Sequence, residues 1–383
     1  MILHDLISYD ILRIIWWLLL GIVLVGFAVM DGFDLGTGML LPFVGKNDIE
    51  RRIVINTVGP VWEGNQVWLI LAGGAIFAAW PQLYAVSFSG FYLAMFLVLV
   101  GIILRPVGFK YRSKRESKAW RSTWDWLLFV GGFLPSLIFG VAIGNVLEGV
   151  PFEIKSDMQV FYLGSFFGLL NPFALLCGVL SIVMLLTHGA SWLALKTEEP
   201  IYGRVRKTGM VTALLTTIIY GICGLVLNFA TTGYHITGGL VANGPSNPLM
   251  KQIAINASGW FDNYHQVPIL WIVPIIGLVA PLLAMAFLAI RKPGFAIIAN
   301  GAAIAGIIAS VGVAMFPFIL PSIIDPVMSL TVWDSSSSHF TLFVMLIVAI
   351  IFVPTILAYT SWVYKILWGK VSVKTVEGNK QSY

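Results

Sequence analysis

Charged residues are scarce in this sequence. Asp, Glu, Lys and Arg make up 11% of its 383 residues and hydrophobic residues 58%, whereas a soluble globular chain is about 25% charged. The mean hydropathy is +0.89. A water-soluble fold of this size could not cover so much apolar surface, so the composition predicts an integral membrane protein.

Cysteines and the common catalytic motifs are also nearly absent. Cys177 and Cys223 lie in apolar stretches without a C-x-x-C context, which argues against a disulfide framework, a zinc site or a covalently attached haem. We find no phosphate-binding glycine loop, nucleophile elbow or H-E-x-x-H sequence, so no catalytic residue is expected in this chain. The first apolar run lacks a basic flank and an A-x-A site, which predicts a retained helix rather than a cleaved signal peptide.

The five histidines offer no pair of haem ligands. A haem inside a helical bundle takes an axial histidine from well within the membrane. His4 is near the N-terminus, His235 and His265 fall in a predicted outer loop, and His188 and His339 fall at predicted helix ends. We expect surface or interfacial histidines, with no haem or metal site.

Nine apolar runs are long enough to cross a membrane, which takes about 20 mostly apolar residues. We assign them to one transmembrane domain, residues 1–383. The runs lie at about 12–35, 57–80, 83–104, 123–146, 161–187, 208–230, 268–290, 295–319 and 340–364. The first run stays apolar to about Val44, so its helix is expected to be long or bent. Two outer loops, 147–160 and 231–267, are long enough to have structure of their own.

The basic residues predict the orientation of these helices, because cytoplasmic loops carry the Lys and Arg residues of a membrane protein. Of the 23 Lys and Arg residues, all but Arg13, Lys155 and Lys251 fall in the odd-numbered loops or the C-terminal tail. Nine helices with the N-terminus outside and the C-terminus inside fit this division. The basic cluster at 105–121 is thereby accounted for, and it indicates lipid head groups rather than nucleic acid.

Three carboxylates are the strongest candidates for function, since charges inside membrane helices are costly. Asp31 and Asp34 share one face of the first helix, and Glu63 lies early in the second. The first helix runs inwards and the second outwards, which predicts all three at similar depth near the cytoplasm. Partly buried carboxylates can exchange protons near neutral pH, so we expect a proton path. Alternatively, Asp31 caps a kink or pairs with Arg51 or Arg52.

Two further patterns occur on the same helices. Ala28, Gly32 and Gly36 repeat every four residues, a stripe that lets a second helix approach closely. Most of the 14 tryptophans lie near predicted helix ends, as in an aromatic belt, but Trp62 stands one turn before Gln66. An aromatic face beside polar groups could hold a quinone ring. The alternative is that Trp62 takes part in ordinary packing.

Several longer segments resemble subunit II of the cytochrome bd quinol oxidases, and the resemblance covers essentially the whole chain. These segments are residues 15–19 (IWWLL), 31–36 (DGFDLG), 50–53 (ERRI), 62–69 (WEGNQVWL), 77–81 (FAAWP), 88–92 (FSGFY), 105–112 (RPVGFKYR), 171–173 (NPF), 315–318 (MFPF) and 329–334 (SLTVWD). Strings of this length and specificity do not arise by chance.

The resemblance implies an all-α protein of nine transmembrane helices, arranged as two four-helix bundles plus one peripheral helix. It implies a bacterial inner-membrane location, with the N-terminus periplasmic and the C-terminus cytoplasmic. In this family, subunit II pairs with subunit I, which carries two b haems, one haem d and the quinol-oxidising loop. The complex oxidises quinol, reduces O2 to water and generates a proton gradient for aerobic respiration. Small single-helix accessory subunits are also expected.

The resemblance also implies roles for individual residues. Asp34 and Glu63 match acids of a proton path toward the haems, with Asp31 beside them, and the family has Asp or Glu at the position of Glu63. Trp62, with Gln66, matches a structural quinone site of some members. Ubiquinone is therefore the one cofactor that this chain itself could bind. The resemblance does not determine whether the substrate is ubiquinol or menaquinol. It also does not determine the route by which O2 enters.

Two functions of other classes are weighed against this one. A proton-coupled transporter would have acids near the midplane, broken helices in both halves and an inverted repeat, whereas the acids here lie toward one side and in the first two helices only. A purely structural scaffold would stabilise its partner without moving protons, so it should tolerate neutral residues at positions 34 and 63.

Overall fold

Long helices dominate the computed structural model, which describes residues 6–256 and 259–378. The helices are α1 (Tyr9–Met30), α2 (Gly32–Val44), α3 (Asp48–Val58), α4 (Trp62–Ala79), α5 (Pro81–Gly90), α6 (Tyr92–Tyr111), α7 (Lys118–Glu148), α8 (Pro172–Lys196), α9 (Ile201–Phe229), α10 (Asp262–Gln266), α11 (Ile272–Ala289), α12 (Pro293–Met315), α13 (His339–Ile366) and α14 (Val373–Gly378). Within the described ranges, eight helical stretches are long and apolar enough to cross a membrane, with α1 and α2 forming a single stretch.

Helix α4 takes the place of the predicted second span but is not among those eight stretches. It has 18 residues, and its first two turns contain Glu63, Asn65 and Gln66, which make it less apolar than the others. The predicted third helix is divided at Phe91 into α5 and α6.

The predicted helix at 161–187 is displaced toward the C-terminus, by about three turns at its start and about two and a half turns at its end. Helix α8 begins at Pro172 because the side chain of Asn171 accepts a hydrogen bond from the Ala174 amide, and proline suits the first helical turn. Residues 160–162 instead form a strand. Hydropathy alone could not locate this start, since the apolar run continues through it.

The membrane part is all-helical, as expected, and the described loops add three small antiparallel ribbons. They pair strand β1 with β2, β3 with β4, and β5 with β6. The strands are β1 (Phe152–Ile154), β2 (Val160–Tyr162), β3 (Gly233–Gly238), β4 (Gln252–Asn256), β5 (Phe318–Leu320) and β6 (Leu330–Thr331). The first two ribbons fall in the loops predicted to be structured, which confirms that expectation. We call this part of the molecule the strand end.

Buried polar contacts hold the strand end together. The ammonium group of Lys251 lies 2.8 Å from the Asp334 carboxylate, and both side chains are buried. Burial lowers the pKa of Lys251, although the Asp334 charge opposes the shift. Arg13 donates to the Ser246 and Ser336 hydroxyls, at 2.9 and 2.8 Å. The long loop before α11 is therefore anchored to the first long helix and to the segment that precedes the last one.

Helix α8 lies at the centre of the bundle, where it packs against α2, α7, α9 and α12. Its approach to α2 is very close. A Cβ atom on Gly36 would lie 2.1 Å from the Leu185 carbonyl oxygen, and the facing Gly189 is equally confined by the Gly36 backbone. The expected role of the stripe that includes Gly32 and Gly36 is confirmed, and its partner is α8.

The opposite end of the bundle carries most of the basic residues, and we call it the basic end. Its larger side chains form a network of ion pairs. The pairs are Arg51–Asp125 at 2.7 Å, Arg112–Asp125 at 2.5 Å, Arg112–Asp48 at 3.0 Å, Arg121–Asp48 at 2.7 Å and Arg204–Glu50 at 2.8 Å. These contacts join the short helix α3 to the ends of α6, α7 and α9.

Candidate functional site

The first apolar stretch is interrupted where the sequence places its two acids. Helix α1 ends at Met30, α2 begins at Gly32, and Asp31 lies between them. The carbonyl of Val29, just before the interruption, accepts a hydrogen bond of 2.9 Å from His188 Nε2 on α8. The expected long helix is confirmed as one apolar stretch, Tyr9–Val44, and its interruption at Asp31 lies inside the protein.

Asp31 forms a bidentate ion pair with Arg105 of α6. The two guanidinium nitrogens lie 2.9 and 2.7 Å from the two carboxylate oxygens, and both side chains are buried. Paired hydrogen bonds of this kind are among the strongest in proteins. The alternative partners, Arg51 and Arg52, are therefore wrong for Asp31, and Arg51 instead binds Asp125.

Asp34 lies one turn further on, fully buried in the same cluster. Its Oδ2 atom accepts a 2.8 Å hydrogen bond from the Asn65 amide and lies 3.8 Å from Arg105. The Asn65 carbonyl in turn accepts from the Tyr364 hydroxyl at 2.7 Å. Among the described residues, Asp34 Oδ1 is buried and has no hydrogen-bond partner. We call Asp31, Asp34, Asn65, Arg105 and Tyr364 the carboxylate cluster.

The carboxylate cluster contains two acids and one base. One guanidinium neutralises one carboxylate, so the cluster is neutral only when the other carboxyl group carries a proton. Burial makes an uncompensated charge costly. The arrangement can therefore hold and release a single proton, and Asp34 Oδ1 is a buried carboxyl oxygen of the cluster that has no hydrogen-bond partner among the described residues.

Glu63 does not join this cluster, and its predicted depth, similar to that of Asp31 and Asp34, stays a prediction. Its side chain is 70% exposed, and its carboxylate lies 3.8 Å from the exposed Lys110. Successive helical residues are about 100° apart, so Glu63 and Asn65 point to nearly opposite sides of α4. Asn65 therefore reaches Asp34 while Glu63 projects outwards.

The two residues of the expected quinone site differ in exposure. Trp62 is buried, with its ring centroid 5.5 Å from that of Phe109, and Gln66 is half-buried. Gly64, between them, is exposed and has no atom within 4 Å of a Cβ position. Trp62 thus packs in the core, whereas Glu63 and Gly64 are exposed and Gln66 is partly exposed.

His188 contradicts the expectation of a surface or interfacial histidine. It is 1% exposed and lies inside α8, because that helix continues to Lys196. Its Nε2 must donate to the Val29 carbonyl, and its Nδ1 is buried without a partner among the described residues. Within those residues no group of three or more His, Cys, Asp and Glu side chains could hold a metal ion. His4 lies outside them.

Sequence comparison identifies the protein family to which this chain belongs. Residues 12–367 match the family model of the cytochrome bd terminal oxidase subunit II. The chain belongs to this family. It is 50% identical over 377 residues to a probable cytochrome oxidase subunit 2 of Haemophilus influenzae, and 48% identical over 377 residues to the cytochrome bd-I ubiquinol oxidase subunit 2 of Escherichia coli K12. Each alignment covers 98% of this chain and 100% of the relative.

The fold agrees with this assignment. A chain in the structure of the bd oxidase from Geobacillus thermodenitrificans superimposes with a TM-score of 0.67 at 15% identity, covering 93% of this chain and 98% of that one. The cytochrome bd oxidase subunit II described here is thus part of an oxidoreductase complex. It is a multi-pass protein of the bacterial inner membrane.

Sequence reasoning found Asp31, Asp34 and the motif that contains Asn65, but it missed Arg105 and Tyr364 as parts of the site. Arg105 was assigned to a basic loop, although it follows an apolar run directly. It is buried within α6. Tyr364 gave no signal, because a tyrosine near the end of an apolar helix is typical of the membrane interface.

Proposed function

We propose that this subunit carries protons from the cytoplasm toward the oxygen-reducing site of the complex, and that Asp34 of the carboxylate cluster is the group that holds them. One observation carries the proposal. Asp34 is buried beside Asp31, the two share a single guanidinium, and its Oδ1 has no partner among the described residues. A structural ion pair would need only one carboxylate and would leave no acceptor unsatisfied.

The path would continue through Glu63. This carboxylate begins α4 near the basic end, and its exposure lets it exchange protons with water or with a partner subunit. Asn65 connects the same helical turn to Asp34. A water-filled gap between Glu63 and Asp34 is required, because the two carboxylates lie on different sides of α4.

A proton path from the cytoplasm requires the basic end of the chain to face the cytoplasm. We infer nine transmembrane helices, with α4 as the ninth, the N-terminus periplasmic and the C-terminus cytoplasmic. The ion-paired arginines of the basic end support this orientation, since positive loops stay in the cytoplasm. Helix α13 packs mainly against α1, which supports two four-helix bundles with α13 as the peripheral helix.

The electron-transfer chemistry would belong to the partner, subunit I. We expect that subunit to hold two b haems and one haem d and to oxidise quinol, with ubiquinol suggested by the name of the Escherichia coli relative. A structural quinone beside Gln66 and Trp62 would occupy the exposed face of α4. Gly64 has no side chain to block this face, and no atom lies within 4 Å of its Cβ position. Single-helix accessory subunits are expected to complete the complex.

Substitution of Asp34 tests the proton path. We expect Asp34→Asn, in complex purified through a tag on this chain, to lower quinol-dependent O2 uptake by about 100-fold, the scale of a lost proton-transfer group. The haem spectrum and subunit content should stay unchanged. Asp157→Asn, at an exposed carboxylate of the strand end, serves as the control. Full activity in an assembled Asp34→Asn complex would indicate a scaffold instead.

Glu63→Gln separates the two parts of the path. Because the Glu63 side chain is exposed, its replacement should leave assembly and thermal stability unchanged and still slow O2 uptake. Glu116→Gln, at another exposed acid, is the matched control. Normal uptake in Glu63→Gln combined with slow uptake in Asp34→Asn would move the start of the path away from Glu63.

A further inference from the structure

A cavity at the basic end borders the carboxylate cluster through Tyr364. Its volume is about 320 Å³, and it is enclosed by the ends of α3, α8 and α13 together with the C-terminal segment 367–376. Small-molecule sites are typically about 300–1,000 Å³, so the cavity can hold a compact polar group. Among the described residues, the charged side chains that line it are Lys196 and Lys370, and none of its lining residues is acidic.

Lys196 is held rigidly in the wall of this cavity. It is 5% exposed, and its ammonium nitrogen lies 5.1 Å from the ring centroid of Trp192 and 5.3 Å from that of Trp368. One hydrogen bond, of 3.0 Å, goes to the Leu367 carbonyl oxygen. An ammonium group has three donors, so this one keeps capacity for a further acceptor.

The charge of Lys196 is not compensated by the protein. Within the described residues, no carboxylate lies at ion-pair distance from its ammonium group, whereas Arg51, Arg112 and Arg204 at the same end each have an acidic partner. A buried cation without an anion is costly. Two aromatic faces and the carbonyl end of α8 offset part of that cost, and an anion in the cavity would offset the rest.

We propose that this cavity binds the phosphate group of an anionic phospholipid. Basic pockets between transmembrane helices at the membrane surface suit such head groups. The cavity lies where the candidate spans α8 and α13 end, and Trp368 beside it is 68% exposed, as expected for an interfacial tryptophan.

Helix α13 offers a place for the acyl chains. Its buried residues all lie in its first two turns, and its later turns expose apolar side chains such as Ile356, Leu357 and Ile366. A lipid seated with its phosphate between Lys196 and Lys370 could extend its chains along this surface. The bound lipid would then fix the C-terminal segment, which already bonds α8 through the Val371 amide and the Lys196 carbonyl at 2.8 Å. The inference does not rest on the proton path, although Tyr364 belongs to the carboxylate cluster and also lines this cavity.

Lipid binding to the purified whole complex tests the proposal. The complex is stripped of lipid in detergent and incubated with mixed micelles containing phosphatidylglycerol or phosphatidylcholine, and bound lipid is counted by native mass spectrometry. We expect one tightly held phosphatidylglycerol. Lys370→Met should weaken it about fivefold and Lys196→Met at least as much, the scale of one lysine near a lipid phosphate. Lys374→Met, at an exposed lysine of the same segment outside the cavity, should retain wild-type affinity.

Three outcomes would overturn the assignment. Equal retention in Lys370→Met and Lys374→Met would show that the cavity does not select the phosphate. Equal binding of phosphatidylcholine would remove the requirement for a net negative charge. Displacement of the lipid by excess inorganic phosphate, with phosphate then bound, would identify a site for the free anion. If Lys196→Met fails to assemble, Lys370→Met decides alone, because its side chain is exposed.

Discussion

The hydroxyl group of Tyr364 donates a 2.7 Å hydrogen bond to the side-chain carbonyl of Asn65, 299 residues earlier in the chain. Tyr364 lies near the end of α13, which is otherwise largely exposed, and Asn65 holds Asp34 through its amide. Asn65 is thus oriented from both sides: its carbonyl faces the tyrosine and its amide faces the acid. The last long helix therefore helps to fix the geometry of the carboxylate cluster.

Tyr364→Phe should disturb this orientation without disrupting the fold. Loss of the hydroxyl leaves the buried Asn65 carbonyl without its donor, a cost of about 1–3 kcal/mol, and lets the Asn65 amide rotate away from Asp34. We expect O2 uptake to fall severalfold at saturating quinol while haem content is preserved. Tyr359→Phe, on the exposed side of α13, is the control. Equal activity of the two variants would show that Asn65 does not depend on Tyr364.

Arg105→Gln should destabilise the whole complex. The substitution leaves the buried Asp31 carboxylate without its cation, and removal of one partner of a buried ion pair costs about 3–5 kcal/mol. We expect a lower thermal unfolding midpoint and less assembled haem complex in membranes. Lys110→Gln, on the exposed face of the same helix, should change stability by less than about 1 kcal/mol. A stable Arg105→Gln complex would show that the Asp31–Arg105 ion pair does not hold the fold together.

The membrane character, the candidate acids Asp31 and Asp34, and most helix positions could be predicted, because each depends on local sequence. The start of α8 could not, since Asn171 acts through a single capping bond inside a continuous apolar run. The outward direction of Glu63 was predictable in principle from its two-residue spacing from Asn65. The depth of Glu63 in the membrane does not determine which side of α4 it faces, whereas its spacing from Asn65 does.

The partners Arg105 and Tyr364 were beyond local reasoning. Each reaches the cluster from another helix, and the separations are 74 residues for Arg105–Asp31 and 299 for Tyr364–Asn65. Only the packing of α2, α4, α6 and α13 brings these side chains together. His188 was misjudged for a simpler reason: its predicted helix ended at 187, whereas α8 continues to Lys196 and buries it.

His188 is expected to hold the interruption at Asp31 in place. Its Nε2 donates to the Val29 carbonyl, and glutamine can supply a similar donor whereas leucine cannot. His188→Gln should therefore keep near-normal O2 uptake, while His188→Leu should slow it and lower thermal stability by about 1–3 kcal/mol. Stopped-flow proton uptake and thermal denaturation of both variants would check this. If His188→Leu behaves like wild type, the hydrogen bond does not position the acids.

Gly36→Ala should separate α2 from α8, whereas Gly21→Ala should not affect packing. A Cβ atom at position 36 would lie 2.1 Å from the Leu185 carbonyl oxygen, and the obstruction is backbone on a neighbouring helix, so no side-chain rotation relieves it. At position 21 no atom lies within 4 Å of the added carbon. Overpacking typically costs about 1–3 kcal/mol or more, while alanine is a better helix former than glycine by up to about 1 kcal/mol.

These two alanine variants test whether the close approach of α2 and α8 positions Asp34, which lies two residues before Gly36. We expect Gly36→Ala to lower both the thermal midpoint and O2 uptake, because α2 must shift and carry the Asp34 carboxylate away from Asn65. Gly21→Ala should match or slightly exceed wild-type stability and keep full activity. A Gly36→Ala complex with reduced stability but full O2 uptake would contradict the coupling, since the packing would then have been disturbed without consequence for Asp34.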